Sequence, residues 1–177
     1  MTSEIDRPAA EERFRLVFAN LGVITAYARR RGSHDPEAIA AEVMTVAWRR
    51  LSEVPTDDPR PWLYATARNL LLAEARRAGQ RAGIREREGT TPGPELDELD
   101  PVLGQALRSL SHQDQEALLL VAWEELKPRE AAKSLGINPA AFRVRLLRAR
   151  RRLRSRLENA EQERHPASLA QLDVEGT

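Results

Sequence analysis

Apolar side chains in this chain recur at steps of three and four residues, and no segment alternates strictly between apolar and polar over the length of a strand. A helix gathers such positions on one face, so the spacing predicts an all-α protein. One stripe runs through Phe14, Phe18, Leu21, Thr25 and Ala28 and ends at Gly32. A second helix is predicted from the cap pair Asp35-Pro36 to about Arg50, with Ile39, Val43, Val46 and Ala47 on one face. After a turn rich in Pro and Asp at 54–59, a third helix begins near Pro61 and runs to about Arg77. It directs Leu63, Ala67, Leu70 and Leu71 to a core and leaves Trp62, Thr66, Asn69 and Arg76 on another side.

The segment from Arg87 to Glu95 combines Gly, Pro, Thr and charge without apolar periodicity, which reads as a flexible linker between two small helical domains. The organisation expected is a first domain over 10–81, a linker over 82–98, a second domain over 99–157 and an acidic, mobile tail over 158–177. In the second domain a helix near Leu99 carries Val102, Leu103, Ala106, Leu107 and Leu110. Ser111 with Asp114 resembles a capping box and opens another helix through Leu118, Leu119, Val121 and Trp123. Lys127-Pro128 begins a short helix that stops at Gly136, and Asn138-Pro139 caps a long last one with Phe142, Leu146, Ala149 and Leu153 in a stripe. The total is about seven helices.

Charge looks uninformative until it is divided. The 177 residues hold 28 basic and 27 acidic side chains, a net of +1, and an evenly mixed chain of that kind is a poor partner for phosphate. By segment the net is -2 over 1–59, +5 over 60–87, -8 over 88–126, +10 over 127–157 and -4 over 158–177. Two basic blocks are therefore set among acidic ones. The absence of cysteine excludes disulfides, thiolate metal sites and cysteine nucleophiles. No apolar run reaches the roughly 20 residues of a membrane span, and the N-terminus has no basic-then-apolar leader pattern, so no membrane association and a cytoplasmic location are expected.

The segment from Pro128 to Phe142 is the most specific local pattern. It has a helix, a small residue (Ala132) where two helices approach closely, a glycine (Gly136) where the backbone turns, and an apolar anchor (Phe142) in the next helix. These are the requirements of a helix-turn-helix that offers its second helix to the DNA major groove. From Arg143 to Arg156 that helix carries eight arginines and no acidic residue, suited to guanine edges and phosphates; a solvated basic face is the alternative. The other basic block holds Arg60, Trp62, Tyr64, Arg68, Asn69, Arg76, Arg77 and Arg81. Aromatics among arginines suit unpaired bases, although by pattern alone Trp62 and Tyr64 serve equally well as core residues at a helix start.

Together these blocks resemble the extracytoplasmic-function (ECF) sigma factors, the small subunits that direct bacterial RNA polymerase to promoters. The resemblance spans about 10–157, in the family's order of region 2, linker and region 4. The helical segment from Glu42 to Arg49 resembles the one that docks on the largest polymerase subunit. It implies polymerase contacts at Glu42, Met44, Val46, Trp48 and Arg49. Pro61-Trp62-Leu63-Tyr64-Ala65-Thr66-Ala67-Arg68-Asn69-Leu70 resembles the part that opens and holds the minus-ten element. It implies contacts from Arg60, Trp62, Tyr64, Arg68, Asn69, Arg76 and Arg77 to the melted non-template strand. Leu135-Gly136-Ile137-Asn138 and the segment from Arg143 to Arg150 resemble the helix-turn-helix that reads the minus-thirty-five element. They imply duplex contacts from Asn138, Ala141, Arg143, Arg145, Arg148 and Arg150. The partners implied are core RNA polymerase, promoter DNA and an anti-sigma protein that covers the docking surface, with no cofactor.

Departures from the family pattern fall at Ala38 and Ala41, where Asp and Gln are usual, at Lys127, where Ser or Thr is common, and at Pro139-Ala140-Ala141, where the recognition helix usually begins with more polar residues. The last of these shifts expected base readout toward Arg143 and Arg145. The adjacent pairs Glu11-Glu12, Asp57-Asp58 and Glu124-Glu125 do not face one another on helices and read as solvated. His34, His112 and His165 are isolated, and no catalytic motif occurs, so no enzymatic activity and no metal are expected. Two other readings remain at this stage: a free-standing helix-turn-helix regulator acting without polymerase, and a protein-interaction module using its apolar helical faces.

Overall fold

The computed structural model describes residues 7–81 and 100–164; the linker expected at 82–98 and the chain after 164 lie outside the described residues. The first unit comprises α1 (Arg7–Phe18), α2 (Leu21–Arg30), α3 (Pro36–Arg49), a 3-10 turn (Leu51–Glu53) and α4 (Arg60–Arg81). The second comprises α5 (Pro101–Arg108), α6 (His112–Ala122), α7 (Pro128–Leu135) and α8 (Pro139–Arg164). The described residues contain no strand. The all-α class read from the periodicity is the class observed.

Local chemistry sets most boundaries. Asp35 accepts a hydrogen bond from the Ala38 amide at 2.9 Å with Pro36 in the first turn, and Ser111 accepts from the Asp114 amide at 3.2 Å. The Asn138 side-chain oxygen accepts from the Ala140 amide at 2.7 Å. Each satisfies an amide that the helix leaves without an intrahelical partner. At Lys127, which has no acceptor to offer, Glu130 supplies half of a capping box by accepting from the Lys127 amide at 2.8 Å. Gly136 closes α7 at φ 65°, the left-handed conformation that favours glycine.

Two sequence expectations need correction. The single stripe from Phe14 to Ala28 is two helices. The Asn20 side-chain Nδ2 donates to the Val17 and Leu16 carbonyls at 3.1 and 3.3 Å, closing α1, while the Asn20 backbone carbonyl accepts from the Ile24 amide and starts α2. Phe18 consequently lies on the surface. At the other end, α8 continues to Arg164, into the stretch expected to be a tail.

In the first unit α3 packs against α2 and α4, burying Ile24, Tyr27, Val43, Ala47, Leu63, Ala67 and Leu71. In the second, α8 lies across α5, α6 and α7 through Phe142, Leu146 and Ala149. The units are themselves joined. Helix α7 lies on α4, the Ser134 hydroxyl donates to the Pro61 carbonyl at 3.1 Å, and the buried apolar residues form one continuous cluster through both units.

Candidate nucleic-acid interface

The helix-turn-helix is α7, the Gly136 turn and α8. Ala131 and Ala132 are fully buried where α7 meets its neighbours, and the Ile137 amide donates to the Ala132 carbonyl at 3.0 Å across the turn. Phe142 is buried and fixes the start of α8. With Phe142, Leu146 and Ala149 facing the unit, the other side of α8 faces solvent from Arg143 to Arg156. Arg143, Arg148, Arg150, Arg151, Arg152, Arg154 and Arg156 are exposed there. Such a rigid, positively charged convex face can hold phosphates and reach base edges.

The expected duplex contacts are not equivalent in the structure. Ala141, Arg143, Arg148 and Arg150 are exposed, whereas Arg145 is half-buried on the flank nearer the core. The oxygen of Asn138 is used as the α8 cap. Arg143 lies along its own helix, its Nε donating to the Pro139 carbonyl at 3.4 Å. Arg152 is paired with Asp114 on α6.

The second basic block lies on α4. Asn69, Arg76 and Arg77 are exposed, and Trp62 and Arg68 are half-buried. Arg60 is held by Asp58 through two bonds at 3.0 and 3.1 Å. Asp58 also accepts the Arg60 amide. The Arg50 guanidinium stands 5.9 Å from the Trp62 ring centroid. Tyr64 departs from the expected placement: it is 1% exposed and its hydroxyl donates to Glu124 at 3.3 Å. Its position, two residues after Trp62 on α4, turns it toward the core and the second unit, so in this arrangement no base can reach it.

A third surface is apolar. Phe14 of α1 meets Trp48 of α3 edge to face at 5.1 Å, and Phe18 lies 5.9 Å from Phe14. With Glu11 and Arg15 they line an open apolar cleft in which Trp48 remains 44% exposed. Of the expected polymerase contacts, Glu42, Trp48 and Arg49 are exposed and Val46 is half-buried. Met44 is buried, because it falls on the face of α3 that packs inside the first unit. The period of Phe14 and Phe18 fits one helical stripe and gives no sign that α1 leaves part of it uncovered: Phe14 packs against the core, whereas Phe18 is exposed.

Between the units lies a cluster that the sequence reading did not find. Arg31 Nε donates to both oxygens of Glu116, at 3.2 and 3.1 Å, and its Nη1 donates to Glu124 at 3.0 Å. Arg30 donates to Glu124 at 3.3 and 2.6 Å. The Tyr27 hydroxyl donates to Glu116 at 3.0 Å, and the Arg31 guanidinium stacks 3.6 Å from the Tyr27 ring centroid. The Arg31, Glu116 and Glu124 side chains are 2%, 4% and 1% exposed. Burial opposes ionisation of Glu116, but the Arg31 charge and the bonds from Arg31 and Tyr27 outweigh it and hold the carboxyl below its usual range. For Arg31 burial likewise opposes the charge, and the Glu116 and Glu124 carboxylates overcome it, leaving the guanidinium more firmly protonated than usual. Glu124, read as solvated with Glu125, is thus a buried connector. Glu125 beside it takes the left-handed backbone, φ 55°, in the turn that aims Glu124 inward.

Residues 102–153, which contain the whole helix-turn-helix, match the family model of sigma-70, region 4. The second unit is a sigma-70 region 4 domain. Among solved structures, the chain is similar to CnrH in complex with the cytosolic domain of CnrY. The identity is 26% with a TM-score of 0.59, covering 84% of this chain and 90% of that one. The fold is also similar to that of the sigma factor RpoE in complex with the anti-sigma factor NepR from Bartonella quintana. There the identity is 22% with a TM-score of 0.63, covering 84% and 98%. No curated protein matches the chain in a sequence comparison. A sigma-70 region 4 implies association with RNA polymerase and promoter DNA. Among the described residues no helix is long and apolar enough to cross a membrane, and no group of side chains is arranged to hold a metal ion.

Proposed function

We propose that the chain is a sigma factor that directs core RNA polymerase to promoters in the cytoplasm, reading the minus-thirty-five element with α8 and opening the minus-ten element with α4. The observation that carries this reading is the exposed arginine face of α8, presented by a helix-turn-helix within the segment that matches region 4. The exposed Asn69, Arg76 and Arg77 with the half-buried Trp62 and Arg68 supply a cationic and aromatic surface for the melted strand. The cleft at Phe14, Phe18 and Trp48, with Glu11 and Arg15 in its lining, supplies the apolar part of the polymerase contact, and the exposed Glu42 and Arg49 of α3 add polar contacts. The same cleft is the surface an anti-sigma protein would cover.

The docked arrangement bears on the mechanism. Tyr64 and the Pro61 carbonyl are occupied by the second unit, so strand opening that uses the start of α4 requires the two units to separate. We infer that the holoenzyme holds them apart, each on its own promoter element. Two weak contacts then act as one, because tethering raises the effective concentration of the second.

The test is promoter-dependent transcription by core polymerase with and without the chain. Initiation at a defined promoter set only when the chain is present is the result expected. Tight sequence-specific binding of duplex by the chain alone, with no effect on polymerase, would overturn the reading in favour of a free-standing regulator.

A further inference from the structure

The outward pole of α8 is not made of arginine. At about 3.6 residues per turn, Phe142, Leu146, Ala149 and Leu153 define the inward face, and Ala140, Val144, Leu147 and Arg151 point away from it. Val144 is 48% and Leu147 50% exposed. Both stand in a stretch where almost every other solvent-facing side chain is arginine, as Arg143, Arg148, Arg150, Arg151 and Arg152 show. A helix face selected only for solvation has no use for two adjacent large aliphatic side chains, and valine is a poorer helix former than the arginines around it. A phosphate-binding face has no use for them either.

We propose that Val144 and Leu147 are specificity-determining contacts that read the 5-methyl groups of thymines in the upstream promoter element. This rests on the reading of α8 as the helix that enters the major groove. The thymine methyl is the one apolar feature among the base edges displayed there, and apolar side chains are its natural contact. Val144 and Leu147 are one helical turn apart, separated by about 4.5 Å along the axis, close to the roughly 3.4 Å step between bases on a strand. The pair therefore fits thymines at neighbouring base pairs. The flanking arginines supply the charge complementarity that brings DNA, and not a second protein, onto this face: Arg143 and Arg148 border the aliphatic pair, and Arg151 continues the pole one turn further. With Ala140 and Ala141 too short to compete for the groove, the centre of readout shifts from the arginines to this pair.

The experiment uses holoenzyme formed from the full chain and core polymerase. A library randomised over the upstream element is selected for transcription with the wild type and with Val144→Ala and Leu147→Ala. These are exposed positions where truncation leaves the core of the unit untouched. The wild type is expected to select thymine at one or two neighbouring positions, and replacing those thymines by deoxyuridine, which lacks only the methyl, to lower upstream-dependent binding by about fourfold per methyl. Val144→Ala or Leu147→Ala should each lose the preference at one position and the sensitivity to deoxyuridine there. Equal binding of thymine and deoxyuridine by the wild type, or an unchanged selected sequence from both variants, overturns the proposal. Loss of polymerase affinity in the variants with base preference intact also overturns it, assigning the pair to a protein contact. Arg148→Ala separates the two levels: if it abolishes upstream dependence while deoxyuridine has no effect, only the thymine contact fails. If Arg148→Ala and both aliphatic variants leave upstream dependence unchanged, the placement of α8 on DNA fails as well.

Discussion

Arg31, just beyond the end of α2, and Glu116, on α6, form a two-point ion pair that joins the two units although 85 positions separate them in the chain. Both side chains are almost fully buried, and Tyr27, Glu124, Arg30 and Tyr64 complete the cluster around them. A buried charge is tolerable only when its partner is present. The cluster therefore makes docking of the units selective: one lost member leaves the others buried and uncompensated.

Removing the central cation should open the molecule. Arg31→Met leaves Glu116 without its ionic partner and Glu124 with Arg30 alone, and breaking a buried pair in this way costs about 3–5 kcal/mol. Equilibrium denaturation should show that loss, and small-angle scattering a larger radius as the units part. Combining Arg31→Met with Glu116→Gln and Glu124→Gln should recover most of the stability. A compact Arg31→Met variant as stable as the wild type would show that apolar contacts alone hold the units together.

The chain's two tyrosines, Tyr27 and Tyr64, both report on this interface. Burial first, and the Glu116 and Glu124 carboxylates with it, push both phenols above their usual range. Because the folded value is the higher, the neutral phenols contribute stability that is complete below the unfolded value of about 10 and is lost as pH rises beyond it. Ultraviolet titration should show no tyrosinate up to about pH 10 and then both phenols ionising together with loss of structure. Ordinary half-titration near 10 in an intact fold would contradict the placement. Glu116 has the opposite sign: its lowered folded value gives stability that is present above the unfolded carboxylate value of about 4.3. That stability is lost as pH falls through the lower folded value.

Two turn residues test backbone conformation apart from packing. At Gly136, φ 65°, a Cβ would meet nothing within 4 Å, so Gly136→Ala should cost only the left-handed penalty, about 1–2 kcal/mol, and Gly136→Asn less. At Glu125, φ 55°, the penalty is already present, and Glu125→Gly should be neutral or stabilising by about 1 kcal/mol. Thermal denaturation of both variants decides; destabilisation of the Glu125→Gly protein would mean that the Glu125 side chain has a partner worth more than the strain.

Trp48 separates docking from folding. Half exposed and packed edge-on to Phe14, it should cost less than about 1.5 kcal/mol of stability when changed to alanine. Its loss from the polymerase contact should weaken core-polymerase binding by about thirtyfold, as expected for a buried tryptophan anchor. Titration of labelled variant and wild type with core polymerase measures both. An unchanged affinity would remove the cleft from the polymerase interface.

From α3 onward the helices and their starts were legible in the sequence because the forces that set them are local. Asp35, Ser111 and Asn138 cap within three residues of themselves, Gly136 supplies its own turn, and Phe142, Leu146 and Ala149 keep a helical period. The recognition unit was legible for the same reason. Asn20 was not read as a break, since Phe14 to Ala28 also fits one uninterrupted period.

What the sequence by itself determined is the all-α class, the helices from α3 onward, the helix-turn-helix and the placement of positive charge on α4 and α8. Only the tertiary structure decided that Tyr64 and Met44 face inward, that Phe18 and Trp48 stay uncovered, and that Glu116 and Glu124 are connectors and not solvated acids. The physical reason is distance along the chain. A cap or a turn finds its partner within one helical turn, whereas the Arg31, Tyr64 and Glu124 contacts join positions 60 to 93 apart. A glutamate bound for such an interface carries no local mark that distinguishes it from one bound for water.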